Sequence, residues 1–147
     1  MRDIKFRGLT VNNDWVIGNL SIPKKRLEGY EIAQGHSYIS NKSGSPFAYD
    51  VRPETVGQFI GATDKNNKDL YEGDIIKHNG TLFRVKWSVT QLGFVCVDWK
   101  HKTHGGWFNW RSGEWMIRVR KYIELVGNIH TNPELLESPN VKVWEES

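Results

Sequence analysis

At 147 residues and 17.0 kDa the chain has the length of one domain or two small lobes, not of a multidomain enzyme. Its single cysteine, Cys96, permits neither an intramolecular disulfide nor a cysteine-based zinc site, and no apolar run approaches the roughly 18 residues that span a bilayer. The net charge of +3, from twenty Lys and Arg against seventeen Asp and Glu, conceals a strong segregation. Residues 1–26 and 76–121 carry +4 and +7, residues 27–75 and 122–147 carry −4 each, and five of the seven tryptophans fall within 76–121. The opening stretch Met1-Arg2-Asp3-Ile4-Lys5 interrupts any apolar leader with charge, so a cytoplasmic protein without a membrane segment is the expectation.

In chain order, Ile4-Lys5-Phe6-Arg7 alternates apolar and basic, Asn12-Asn13-Asp14 supplies a turn, and Trp15-Val16-Ile17 follows. This pattern predicts a first hairpin with Phe6 and Trp15 as core anchors. From Pro23 to Ser45 the alternation dissolves into polar punctuation around a weak apolar stretch from Tyr30 to Ile39, which predicts long loops. Order resumes at Pro53-Glu54-Thr55-Val56-Gly57-Gln58-Phe59-Ile60-Gly61. The turn Asp64-Lys65-Asn66-Asn67-Lys68-Asp69 then needs a positive φ, which Asn66 or Asn67 can supply. Asn79-Gly80 is the strongest hairpin signal in the chain. After it, Phe83, Val85 and Trp87 share one strand face, and Leu82, Arg84 and Lys86 share the other. Further strands are expected at Phe94–Trp99, Trp107–Trp110, Trp115–Val119 and Tyr122–Ile129. Helix is confined to a turn starting at Asn132-Pro133, with Asn132 as N-cap and Pro133 at N1.

Short strands without crossover helices must close or fold over to cover their apolar face. The expected fold is therefore all-β: an N-terminal β lobe with long loops over residues 1–55, a small SH3-like or related β-barrel over 56–137, and a tail over 138–147. In the tail, Val141, Val143 and Trp144 could add a strand to a second copy, so a homo-oligomer is expected.

Four segments carry a family resemblance: Met1-Arg2-Asp3-Ile4-Lys5-Phe6-Arg7; Thr55-Val56-Gly57-Gln58-Phe59-Ile60-Gly61; Asp64-Lys65-Asn66 through Tyr71-Glu72-Gly73-Asp74-Ile75-Ile76; and Glu124-Leu125-Val126-Gly127-Asn128-Ile129 through Asn132-Pro133-Glu134-Leu135-Leu136. Together they resemble the YopX family of phage and prophage proteins. Asn67 stands where the family turn usually has glycine. The resemblance implies an all-β accessory protein working in a bacterial host cytoplasm, and it brings no catalytic motif.

The basic stretch holds the most pointed functional residues. Lys77, Arg84, Lys86, Lys100, Lys102, Arg111, Arg118 and Arg120 interleave with tryptophans that include Trp107 and Trp110. Cations beside indoles would let phosphates pair while bases stack. Core tryptophans backed by a solvated cationic face would give the same pattern, and both readings stay open here. No cofactor and no metal are expected. Asp64, Asn66 and Lys68 fail as a calcium loop, because a lysine and Ile75 occupy ligand positions. His101 and His104 lack a third ligand. No catalytic residue is assigned. An enzyme would have to assemble Asp64, Glu72, Asp74 and His130 into a carboxylate site, whereas a binding or regulatory module would present loops to nucleic acid or to a host or phage protein.

Overall fold

The computed structural model describes residues 3–23, 36–41, 48–78, 80–89, 92–98, 107–109 and 120–137. The fold is all-β, built from antiparallel sheets, with 3₁₀ turns at Pro53–Thr55, Arg120–Tyr122 and Pro133–Glu137 and no α-helix among the described residues. No helix among them is long and apolar enough to cross a membrane. The chain divides into two compact units, Met1–Phe59 and Ile60–Ser147.

In the first unit, β1 (Phe6–Leu9), β2 (Trp15–Ser21), β3 (Ser37–Ser40) and β4 (Tyr49–Val51) lie in the order β4-β3-β2-β1, and the start of β5 (Gly57–Thr63) pairs with β1. The β1–β2 turn is closed by Thr10 Oγ1, which accepts the N–H groups of Asn12 and Asp14, with Asn13 at φ 63°. Leu9, Ile39 and Val51 fill this unit's interior, each at most 2% exposed. Phe6 and Trp15, the anchors expected from the sequence, are only half-buried. The Arg7 guanidinium lies 4.6 Å from the centroid of the Trp15 ring instead, so the indole covers a buried cation. β3, inside the stretch expected to form long loops, has four residues, and β4 has three. Strands that short show no alternation, and only pairing with β2 and with each other defines them.

The second unit contains the end of β5, β6 (Asp69–Tyr71), β7 (Asp74–His78), β8 (Thr81–Ser88), β9 (Gly93–Asp98), β10 (Trp107–Asn109) and β11 (Glu124–Asn128). Its five-stranded sheet runs β10-β9-β8-β7-β11. The hairpin joining β7 and β8 has His78 opposite Thr81, with Gly80 at φ 77° in the two-residue connection. The expected barrel does not form: the strand order is open, with β10 and β11 at its edges. The apolar face is covered another way. Ile60 and Ala62 of β5, Leu70 of β6 and Ile123 pack onto Ile76, Phe83, Val85, Phe94 and Cys96, so a folded-over hairpin does the work that closure would have done. Burying an aliphatic side chain of this kind contributes about 1.5–3 kcal/mol. The strand expected at Trp115–Val119 lies outside the described residues.

Candidate functional site

Of the carboxylates that an enzyme would need, Asp64 and Asp74 accept backbone N–H groups. Asp64 is fully buried at the end of β5. Its Oδ1 accepts the N–H groups of Asn66 at 2.8 Å and Lys68 at 2.9 Å, and its Oδ2 accepts that of Leu125 at 2.9 Å. Burial pushes this carboxyl up, yet the backbone bonds from Leu125, Lys68 and Asn66, with the Lys68 charge, prevail and hold it below the ordinary aspartate range. Asn67, at φ 61°, makes the positive-φ bend. The segment compared with a calcium loop is thus a turn closed by its own aspartate.

Glu72-Gly73-Asp74 is a second turn of the same kind. Asp74, 1% exposed, accepts the Tyr71 N–H at 2.7 Å through Oδ2. Gly73, at φ 92°, donates its N–H to Val85 O and accepts that of Ile129, both at 2.9 Å. A side chain there would start 3.5 Å from His130 Nε2. Beyond β11, Asn128 Oδ1 accepts the N–H groups of His130 and Thr131, while Asn132 Oδ1 reaches back to the Asn128 N–H. Asn132 stands before the 3₁₀ turn at Pro133 as expected, its carbonyl accepting the Leu135 N–H at 3.1 Å, and its carboxamide oxygen ties that turn to the end of β11. Gly127 is required because a Cβ would lie 2.7 Å from Asn132 Oδ1. No group of three or more His, Cys, Asp or Glu among the described residues is arranged to hold a metal.

The basic residues are sorted by the strand period. The register sets Ile75 opposite Arg84 and Lys77 opposite Leu82 on β7 and β8, then Arg84 opposite Val97 and Lys86 opposite Val95 on β8 and β9. Lys77, Arg84 and Lys86 therefore share the sheet face away from the Phe83–Val85 core. Lys77 and Lys86 are exposed, and Arg84 is half-buried. Among the described residues the acid registered on this face is Glu124, opposite Lys77, whose carboxylate also lies 3.6 Å from Lys65 Nζ. Trp107 stands opposite Val97, in the cross-strand row of Arg84. Arg120 opens the 3₁₀ turn before buried Ile123. Lys100, Lys102, Trp110, Arg111 and Arg118 lie outside the described residues, as do His101 and His104.

One feature was not anticipated from the sequence. Trp87, on the core face, is 46% exposed with its ring edge-on to Phe94 at 5.1 Å. Beyond it Val89 and Leu92 are 77% and 73% exposed where the β8–β9 hairpin closes, and Leu92 holds φ 52°. The positive φ falls on Leu92 and not on the adjacent Gly93, so residue type does not mark the position.

These features define an all-β protein with an open five-stranded sheet, one face of which carries Lys77, Arg84 and Lys86. The YopX protein family model matches residues 5–137, and the chain belongs to that family. No functionally curated protein matches it in sequence. Among solved structures, the crystal structure of protein EF1440 from Enterococcus faecalis is similar at 20% identity with a TM-score of 0.46, covering 92% of this chain and 99% of that one.

Proposed function

We propose that the chain is a non-catalytic binding module, an accessory protein of a phage or prophage, that takes nucleic acid on the cationic face of its five-stranded sheet. The carrying observation is the shared face of Lys77, Arg84 and Lys86, with two exposed ammonium groups flanking a guanidinium in adjacent registers. Phosphates pair with such cations and release counterions, and this sequence-independent term supplies most nonspecific affinity. The use of Asp64 and Asp74 to hold backbone supports a non-catalytic role, since neither carboxylate is presented to a substrate.

The test is binding of fluorescent single-stranded and duplex DNA and RNA across a salt series. Affinity should fall steeply with salt, and the double variant Lys77→Glu/Lys86→Glu should bind more weakly with a shallower slope, by about one unit per lost phosphate contact. Both positions are exposed, so the fold should survive. Absence of binding at low salt, or a variant indistinguishable from the parent, would refute the proposal.

A further inference from the structure

The apolar face of the second unit's core does not stop where the sheet does. Along β8 and β9 the registered pair Val85–Cys96 is fully buried, and the next pair on that face is Trp87–Phe94, where the indole emerges half-exposed. Past the last pair, Ser88–Gly93, the row ends in Val89 and Leu92, both largely in solvent. Isolated exposed aliphatics are ordinary, but here three large apolar residues, Trp87, Val89 and Leu92, are exposed at one hairpin end. Leu92 is held there at φ 52°, a conformation that glycine or asparagine would adopt more easily. The opposite face of the same hairpin carries Arg84 and Lys86, and no acidic residue occurs from Arg84 to Val97. A hairpin with cations along one face and an exposed apolar, aromatic end matches an unstacked strand of nucleic acid, which offers phosphates on one side and uncovered base faces on the other.

We infer, resting on the nucleic-acid reading above, that the end of the β8–β9 hairpin is a base-contacting wedge, with Trp87, Val89 and Leu92 packing against unstacked nucleobases. The wedge gives the protein a preference for single-stranded over perfectly paired nucleic acid, because a duplex must first be unstacked before its base faces can be reached. The phosphate contacts of Lys77 and Lys86 do not discriminate in this way.

The experiment compares a labelled short single-stranded DNA with the duplex of the same sequence, using the full chain, Leu92→Gly/Val89→Ser and Lys77→Glu/Lys86→Glu. Glycine adopts the Leu92 backbone conformation without strain, so the first variant should remain folded. It is expected to reduce the single-strand preference about tenfold while leaving the salt slope unchanged. The charge variant is expected to lower the slope and keep the preference. Salt-dependent binding of the parent with no single-strand preference, or a preference retained in Leu92→Gly/Val89→Ser, would overturn the wedge and leave the cationic face standing. No binding to either form at low salt would overturn both.

Discussion

The Asp64 carboxylate accepts the backbone N–H of Leu125 at 2.9 Å across 61 residues of sequence, joining the turn after β5 to the edge strand β11. Lys65 N donates to Ile123 O at 2.9 Å beside it, so the edge strand is attached to this turn at two points. Asp64→Ala leaves three part-buried N–H groups without their acceptor and should cost about 1–3 kcal/mol in urea unfolding. The pH dependence has a definite sign. The folded carboxyl is held below its ordinary value of 3.8, so its contribution is complete above that pH and is lost as pH falls through the folded value. Asp64→Asn should therefore be less stable at neutral pH and show less acid-side decline. A decline parallel to that of the parent would remove Asp64 from the explanation.

Gly127 and Asn132 are packed so closely that a methyl group at 127 would lie 2.7 Å from Asn132 Oδ1 and 2.9 Å from Leu135 Cδ1. Gly127→Ala should lower stability by about 1–3 kcal/mol through overpacking. Part of that loss should vanish in an Asn132→Ala background, where the obstructing carboxamide is gone; strict additivity of the two changes would contradict the geometry.

Leu92 tests backbone strain at the hairpin end. A leucine in the left-handed region costs about 1–2 kcal/mol, and glycine there loses about 0.5–1 kcal/mol more conformational freedom on folding. Leu92→Gly should accordingly be close to neutral in thermal unfolding, whereas β-branched Leu92→Val should be clearly destabilised. Equal stability of the two would argue against a positive φ at this position.

Cys96 is fully buried opposite Val85. Its thiol should resist a small disulfide reagent in the native protein and react promptly in denaturant. Labelling at the denatured rate without denaturant would place Cys96 outside the core.

Much of the second unit was legible because its strands are long enough to show their period. Phe83 and Val85 alternate with Leu82 and Arg84 in the sequence as they do across the sheet, and Gly80 marks the hairpin. Beyond that range the signals failed for identifiable reasons. β3 has four residues and no alternation, the positive φ next to Gly93 falls on Leu92, and of the two ways to cover an apolar face, closing or folding over, the barrel expectation chose closing, whereas Ile60, Ala62 and Leu70 fold over it here. That the Asp64 segment forms a turn was legible in its own residues, but the bond from Leu125, 61 residues away, was not, because a sequence does not show which distant N–H a carboxylate accepts.

The sequence by itself determined the all-β class, the principal hairpins and the family, since these rest on local period, turn chemistry and residue order. Only the tertiary structure decided the register in which the strands pair, and so which charges meet on one face. Along β8 the strand period already set Arg84 and Lys86 on the face opposite Phe83, Val85 and Trp87 in the sequence. Pairing β7 with β8 in register brings Lys77 opposite Leu82 and so onto the face of Arg84 and Lys86, because residues opposite each other across a strand pair share a face.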